Sequence, residues 1–419
     1  MAPIRPNPTL SDDLISEILV RVPVKSLLQF QLVSKTWLSL IKDPALVKAQ
    51  LRRAIATETD QTLIMTRETY LTDTENATLQ FSVFDVDSRQ IVADLKYPYT
   101  QGESEQVGPA FTLVGSVNGI VCVVFHHNLS EHSFYLWNPA TRQSRVVPAC
   151  ALSTSRAMGF GYDPVDDDYK IVSVVSGPSL PTEVYSANRN VWRKVPDEDY
   201  KIVMSGIDFL GNFNVCVNGL LFGVKKDALM VFDLNTEVLN CAIKLPRDVA
   251  AAIVAARAVT AAAVGGLNIV NSYEAHPKTH IIEYNKSVAV IMLWANALND
   301  DRTGQGFNKA INMWKLEDDS CLRGGGVEAS WTLMFSIDLA MPTELFNGYF
   351  SNGDLLLLIG YEDYRWISCN ARKKEARIAR VYILEDHRYT RYLYRYTESL
   401  VSLAGFKLQI SWNRGYGDN

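Results

Sequence analysis

The sequence predicts a mainly β protein that begins with a small α-helical module, and three observations carry this prediction. Large apolar residues recur every three or four positions between about residues 10 and 55, which is the spacing of amphipathic helices. Beyond about residue 60, short runs of β-branched and aromatic residues alternate with Gly, Asn, Asp and Pro, as in all-β domains. A hairpin motif then recurs through the rest of the chain. We therefore expect a β-propeller-like domain of six blades behind the helices.

The helical module has an apolar stripe on its first helix, formed by Leu14, Ile15, Ile18, Leu19 and Val22. Pro23 lacks an N–H donor, so it ends this helix and suits the first turn of the next one. Asp43 and Pro44 supply a cap and a first-turn proline for the last helix. A unit of about 45 residues buries too little surface to be comfortably stable alone. We therefore expect another protein to cover much of its apolar face.

The β domain is predicted from its runs of strand-forming residues. Candidate strands lie at 62–66, 81–86, 120–125, 134–137, 169–175, 229–232, 289–294 and 355–359. An aromatic residue followed by a polar turn recurs at Phe84, Trp137, Tyr185 and Phe232, about 47 to 53 residues apart, as in four-stranded propeller blades. Weaker copies follow, and Asn-Gly pairs at 118, 218 and 352 each precede an apolar run. A pair of β-sandwiches is the alternative to six blades.

Residues 10–52 resemble the F-box. The match comprises Leu10, Asp12 or Asp13, Leu14, Ile18, Leu19, Arg21, Val22, Pro23, Lys25, Ser26, Leu27, Val33, Ser34, Lys35 and Trp37, with Ser11 where the family usually has proline. The resemblance implies docking on a Skp-type adaptor protein and, through it, on a cullin scaffold and a RING subunit. The predicted adaptor-binding residues are Leu10, Leu14, Ile18, Leu19, Val22, Pro23, Val24, Leu27, Leu28, Val33, Lys35 and Trp37. An ordinary helical hairpin packed on its own domain is the plainer interpretation.

The β domain resembles the plant F-box-associated interaction domain of the S-locus F-box-like and F-box-kelch-like group. The matching strings are L-V-G-S-V-N-G-I-V-C from Leu113, L-W-N-P-A-T-R from Leu136, G-F-G-Y-D-P-V-D-D-D-Y-K-I-V from Gly159 and E-S-L-V-S-L from Glu398. The resemblance implies a substrate receptor that presents a target protein for ubiquitination and degradation. The target class could be an S-ribonuclease or a signalling or immune protein, and the sequence does not choose. An Ala-rich segment, 248–266, departs from the pattern because its propensity is helical.

The predicted domains are a flexible N-terminus (1–9), the helical F-box (10–55), the β domain (60–405) and a C-terminal tail (406–419). Since the F-box tethers one end of a propeller, we expect the target to meet loops that face away from it. The longest interruptions of the repeat, at 247–310 and 317–381, are the candidates. The candidate target-binding residues are Glu274, His276, Asn299, Asp300, Asp301, Arg302, Tyr361, Tyr364 and Trp366.

No catalytic residue, cofactor or metal site is predicted. Asp166, Asp167 and Asp168 fit a turn between strands, and Pro277 interrupts the spacing that His276 would need to share a metal with a second histidine. The net charge of −5 argues against a general nucleic-acid binder. No run approaches ~18 apolar residues, so we expect no membrane span. Without a secretory signal or paired cysteines, we expect the cytoplasm or the nucleus.

Two further alternatives stay open. Basic and aromatic residues mix between Arg365 and Tyr396, which fits a solvated strand face, a protein interface or, least well, a single-stranded nucleic-acid site. For the whole chain, the alternative to a receptor is a propeller enzyme or small-molecule sensor with an F-box-like cap. Co-purification of the adaptor separates these two functions.

Overall fold

The computed structural model begins with four helices, α1 (Asp12–Leu19), α2 (Val24–Phe30), α3 (Lys35–Ile41) and α4 (Pro44–Thr57), and continues with a β domain. The structure describes residues 10–57, 62–70, 77–88, 90–95, 110–126, 132–150, 157–174, 182–195, 213–225, 228–254, 278–295, 309–323, 328–339, 345–351, 354–360, 365–370, 373, 375–379 and 387–408. The predicted flexible N-terminus lies outside these residues.

Polar caps and one proline set the helix boundaries. Ser11 caps α1, where its Oγ accepts a hydrogen bond from the Leu14 amide at 3.4 Å. Ser11 therefore supplies a cap at the position where the F-box usually has proline. Pro23 separates α1 from α2, and the Oγ of Ser34 caps α3 by accepting from the Trp37 amide at 3.1 Å. Asp43 accepts from the Ala45 amide at 2.7 Å at the start of α4, as predicted.

The strands form six sheets in the described part of the chain. Sheet 1 contains β1 (Thr62–Tyr70), β2 (Ala77–Asp85), β3 (Gln90–Leu95) and β24 (His387–Tyr396). Sheet 2 contains β4 (Ala110–Val117), β5 (Ile120–His126), β6 (His132–Asn138), β7 (Gln143–Val146) and β25 (Lys407–Leu408). Sheet 3 contains β8 (Ala157–Asp163), β9 (Asp168–Val174), β10 (Glu183–Ser186) and β11 (Val191–Lys194).

The other three sheets follow the same four-stranded plan. Sheet 4 contains β12 (Val215–Val217), β13 (Leu220–Lys225), β14 (Ala228–Asp233) and β15 (Leu239–Lys244). Sheet 5 contains β16 (Lys278–Tyr284), β17 (Ser287–Ala295), β18 (Lys309–Leu316) and β19 (Trp331–Leu339), with a short 3₁₀ helix, η1 (Asp319–Arg323), between its last two strands. Sheet 6 contains β20 (Leu345–Ser351), β21 (Asp354–Gly360), β22 (Arg365–Asn370) and β23 (Glu375–Ala379).

The sheets close into a ring. The strands β24, β4, β8, β12, β16 and β20 contact one another in this order, and β20 contacts β24 again. Each sheet starts from one of these strands, so each sheet is a blade of a propeller. Sheet 1 joins the two ends of the domain, because β24 pairs with β1 and thereby covers its edge. The predicted mainly β propeller behind an α-helical module is confirmed.

The sequence predicts that the strand at 62–66 closes the ring by pairing near residues 396–403; the structure confirms closure by a C-terminal strand, but most of that strand precedes the predicted segment. The closing strand ends at Tyr396, which pairs with Thr62, and the residues after it leave sheet 1 to cross sheet 2. There Lys407 and Leu408 pair with Ser144 and Gln143, so the β domain continues past its predicted boundary at residue 405. In the Ala-rich segment, residues 247–254 are helical, in keeping with their propensity, and 255–266 lie outside the described residues.

In sheets 2 to 5, tight turns join the first and second strands at one end of the propeller. Asn118 and Gly119 have φ of 53° and 80°, and Asn218 and Gly219 have φ of 51° and 79°. These are the left-handed conformations that two-residue hairpins require, so the Asn-Gly pairs predicted from sequence have a conformational cause. The third and fourth strands of each blade are joined at the same end. We call it the near end, and the opposite end the far end.

The recurring hairpin motif is explained by the residue that follows the aromatic one. In sheet 4, Asp233 Oδ1 accepts hydrogen bonds from the amides of Asn235 and Thr236 at 2.9 and 3.2 Å. Asn138 does the same in sheet 2, and Asp85 and Ser186 also accept from amides of their own turns. The aromatic residue fills the core while its polar neighbour satisfies the turn amides. Asp163 likewise caps the turn before β9 by accepting from the Val165 amide at 3.0 Å; of the predicted turn residues, Asp166 and Asp167 lie in this turn, whereas Asp168 begins β9.

Candidate functional site

The helical module exposes several large apolar side chains. Leu14 and Ile18 are each 52% exposed, and they lie one turn apart on α1. Leu10 and Val33, also predicted to bind the adaptor, are exposed as well. Leu32 is 87% exposed and is absent from the predicted set, because it is not one of the positions that carry the F-box resemblance. These five residues are the apolar face of the module, and we use that name below.

Three of the predicted contact residues belong to the core of the module. Leu19, Val24 and Leu27 are buried with Ile41 and Leu46. The prediction failed to separate them because α1 packs against α4 and α2 packs against α3, which buries one side of an apolar stripe that looks continuous in sequence. As placed, these side chains stabilise the module and offer no surface to a partner.

The remaining predicted contact residues are half-buried or exposed. Val22, Leu28 and Trp37 are half-buried against the core, and the Trp37 ring meets the Phe30 ring edge-on with centroids 5.3 Å apart. Pro23 and Lys35 are exposed. An aromatic edge-to-face pair of this kind fixes both rings, so Trp37 mainly orders the start of α3.

The helical module sits on the near end of the propeller. Lys48 Nζ lies 2.5 Å from Asp167 Oδ2, which belongs to the β8–β9 turn. The same carboxylate accepts a hydrogen bond from the Tyr162 hydroxyl at 2.5 Å, and the Lys48 contact is the leading cause that lowers the pKa of Asp167. Leu400 and Ala140 of the β domain pack into the core of the module. The contact therefore combines an ion pair with shared apolar burial.

A buried charge cluster supports this junction from inside the propeller. Lys170 donates to Asp163 Oδ2 at 2.8 Å and to the Leu234 carbonyl at 2.7 Å, and Glu237 lies 3.6 Å away. Burial acts to lower the pKa of Lys170, but hydrogen bonding to Asp163 and the nearby carboxylates raise it overall. Burial likewise acts to raise the pKa of Asp163, and Lys170 with the turn amides lowers it overall. The two groups hold each other in their charged forms.

The predicted target-binding residues lie mostly outside the described part of the chain: Glu274, His276, Asn299, Asp300, Asp301, Arg302, Tyr361 and Tyr364. Trp366 lies in β22, where its backbone pairs with Leu358 and Ala379. The described strand ends show where these segments attach. Ala295 and Lys309 pair at the end of their hairpin opposite the Asn285–Lys286 turn, and Ile359 and Arg365 pair at the corresponding end of sheet 6. Both connections therefore leave the propeller at its far end.

The part of the chain that the structure describes holds no group of three or more side chains arranged to bind a metal. His126 and His132 approach each other across β5 and β6 with 3.0 Å between their Nδ1 atoms, and Thr112 Oγ1 lies 2.8 Å from His126 Nε2. These contacts link the three adjacent strands β4, β5 and β6.

No helix among the described residues is long and apolar enough to span a membrane.

A helical module with an exposed apolar face, fixed to one end of a propeller, defines a modular interaction protein. Comparison with protein-family models gives the family. The F-box associated beta propeller domain matches residues 69–320, and the F-box domain matches residues 8–48. The chain belongs to the F-box proteins that carry an F-box-associated β-propeller domain.

Similar proteins occur in Arabidopsis thaliana. An F-box/kelch-repeat protein is 30% identical over 190 residues, which cover 43% of this chain and 50% of that protein. The F-box protein CPR1 is 29% identical over 206 residues, which cover 45% of each chain. The chain thus spans about half the length of the curated relatives it matches. Among solved structures, a proposed 6-phosphogluconolactonase of Bacteroides uniformis has a TM-score of 0.39 at 8% identity, covering 79% of this chain and 99% of its own; this likeness carries no information on function.

Proposed function

We propose that this chain is the substrate-receptor subunit of an SCF-type cullin ubiquitin ligase. The F-box docks on a Skp-type adaptor, through which the cullin scaffold and RING subunit are reached, and the propeller holds a protein target. The receptor itself has no catalytic role. It acts by proximity, because a target held near the charged conjugating enzyme is present at high effective concentration. Its expected compartment is the cytoplasm or the nucleus.

The observation that carries the proposal is the apolar face of the module. The F-box has a core of its own, formed by residues such as Leu27 and Ile41, and still leaves Leu14, Ile18 and Leu32 largely in water. Single exposed apolar residues are ordinary, but several of them on one small unit support an interaction site. Family membership supports a Skp-type adaptor as the partner that covers it.

The target is proposed to bind at the far end of the propeller. The F-box occupies the near end through Lys48 and Leu400, which leaves the opposite loops open to a second protein. The segments 296–308 and 361–364 both connect strand ends at that side. Loops on a rigid scaffold are where binding specificity concentrates. The acidic pair Asp300 and Asp301 would steer a basic target and make its capture sensitive to salt.

The far-end proposal is tested by loop exchange. Replacing residues 296–306 by a Gly/Ser linker should weaken capture of the target and leave adaptor binding unchanged. A matching exchange of 361–366 controls for the choice of loop. Target ubiquitination that is unaltered in both variants would place recognition on another surface.

Co-purification tests the function itself. The wild-type chain, expressed with a Skp-type adaptor, should elute with it as a stoichiometric complex. A chain that folds but elutes alone would contradict the receptor function and favour the alternative of a propeller enzyme or small-molecule sensor.

A further inference from the structure

The segment that follows the closing strand connects the two parts of the molecule. We call residues 397–408 the strap. Leu400 packs into the core of the F-box with Leu19 and Leu27. After it in the chain, Val401, Leu403 and Phe406 pack against the core between sheets 2 and 3. The strap therefore contributes side chains to both cores within a few residues.

One buried amide holds the backbone of the strap on both sides of Leu400. Asn138 Nδ2 donates to the Ser399 carbonyl at 3.0 Å and to the Val401 carbonyl at 2.8 Å. Ser399 is itself buried, and its Oγ donates to the Asn118 carbonyl at 2.7 Å. A Cβ at Gly119 would lie only 2.2 Å from that Oγ. The strap is thus fixed to the near-end turns of sheet 2. From this position the Leu400 side chain packs into the core of the F-box.

Asn138 has two roles, to cap its own turn and to hold the strap, and together they explain why residue 138 is an asparagine. At the same position of the hairpin motif, sheet 1 has Asp85, sheet 3 has Ser186 and sheet 4 has Asp233, each accepting from turn amides. Asn138 Oδ1 accepts from the amides of Ala140 and Thr141 at 3.0 and 3.3 Å in the same way. A carboxylate could serve the turn, but only an amide also has donors for the strap carbonyls.

We propose that Asn138 and Leu400 are positioning residues that fix the orientation of the F-box on the propeller. Asn138 sets the path of the strap, and Leu400 inserts from it into the F-box core. The Lys48–Asp167 ion pair adds a second contact nearby. In this arrangement the far end of the propeller stands at one fixed position relative to the F-box apolar face. The consequence for ubiquitin transfer rests on the proposed receptor function, whereas the fixed orientation does not.

The orientation is tested by a distance measurement on the full-length chain. Spin labels are introduced at Ser39 in α3 and Arg189 in the β10–β11 turn, both exposed, through an unnatural amino acid that leaves the cysteines unlabelled. The wild-type chain should give one narrow distance distribution. Asn138→Asp keeps the turn acceptor but removes the strap donors, and it should lose the narrow distribution. Leu400→Ser should do the same from the F-box side.

Two matched variants separate positioning from general destabilisation. Leu403→Ser makes the same change three residues along the strap, where the half-buried side chain packs against the propeller core, and should keep the narrow distribution even if the chain melts earlier. Leu400→Met retains an apolar side chain at this position and should give the narrow distance distribution of the wild type. If Leu400→Ser unfolds the F-box, as judged by its helical signal, Asn138→Asp decides, because it leaves the F-box core intact.

A wild-type distribution in Asn138→Asp overturns the proposal, as does a broad distribution in the unmutated chain. Adaptor binding is measured separately on the unlabelled wild type. A narrow distance without adaptor binding would contradict the proposed function and leave the positioning role standing. Adaptor binding together with a broad distance distribution would support the proposed function and contradict the positioning role.

Discussion

At the scale of single residues, the buried cation Lys170 controls how the stability of the third blade depends on pH. Its raised pKa means that its contribution to stability is present below its ordinary value near 10.5 and is lost as the pH rises through the folded value. The lowered pKa of Asp163 means that its contribution is present above about 3.8 and is lost as the pH falls through the folded value. Between these limits both groups stay charged.

Lys170→Met should therefore destabilise the protein in a pH-dependent way. Removing the cation leaves Asp163 buried without its partner, which costs about 3–5 kcal/mol at pH 7. Burial then raises the pKa of that carboxyl, so protonation relieves the cost as the pH falls toward 5. Thermal unfolding at the two pH values should show a deficit that shrinks at the lower one.

The control for this variant is Lys48→Met. Its partner Asp167 is about half exposed, so the ion pair is worth only about 0–1 kcal/mol. This variant should melt close to the wild type at both pH values. A Lys170→Met deficit that is the same at pH 7 and pH 5 would contradict the assignment of a buried, mutually charged pair.

Two leucines of the F-box should differ in what they stabilise. Leu27 is fully buried, so Leu27→Ala should lower the free energy of unfolding of the F-box by about 2–5 kcal/mol. Leu14 is half exposed, so Leu14→Ala should change it by no more than about 0.5 kcal/mol. Chemical denaturation followed by helical signal measures both. Equal losses of unfolding free energy in the two variants would show that the assignment of Leu27 to the core and of Leu14 to the apolar face is wrong.

At the scale of elements, Ser11 determines how well the first helix is formed. Ser11→Ala removes the acceptor for the Leu14 amide and should destabilise α1 by about 1 kcal/mol. Hydrogen exchange of the α1 amides measures this loss. Ser39→Ala, inside α3, is the matched control and should leave exchange in its helix unchanged or slower, because alanine is the better helix former. Unchanged α1 exchange in Ser11→Ala would rule out the cap.

The hairpins were predictable from sequence and the strap was not, for a physical reason. Where an Asn-Gly or Asx turn joins two strands, the residues of the turn itself determine its conformation, as Asn118, Gly119 and Asp233 show. The residues after Tyr396, T-E-S-L-V-S-L, show neither helical spacing nor strict alternation of apolar and polar residues. Their path is set instead by Asn138, which lies 261 residues away from Ser399 in sequence. A contact of that range leaves no periodic signal.

The same limit explains the outcome for the candidate site. Helical spacing located the apolar residues of the F-box, but it could not tell Leu14 and Ile18, which face water, from Leu19 and Leu27, which face neighbouring helices. That distinction depends on how the helices pack. The set proposed to contact the adaptor is accordingly narrower than predicted, and it gains Leu32.

At the scale of the whole molecule, ring closure depends on the C-terminal part of the chain. Deleting residues 387–419 removes β24 and the strap, which leaves one edge of β1 without a partner and removes the contacts of β24 with β4 and β20 in the ring. We expect the truncated chain to aggregate or to lose cooperative unfolding. Size-exclusion chromatography and thermal unfolding are the measurements. A soluble, monomeric product that is as heat-stable as the full chain would contradict closure through β24.

The central claim is that the apolar face of the F-box docks on an adaptor while the propeller stands apart from that contact. Titration calorimetry of a Skp-type adaptor against the wild type and against a Leu14→Asp, Ile18→Asp double variant tests it most directly. Both side chains are half exposed, so the variant should fold and its propeller should melt as before. The wild type should bind the adaptor, and the variant should lose several kcal/mol of binding free energy, because docking would bury unpaired charge. Wild-type affinity in a folded double variant would contradict the account.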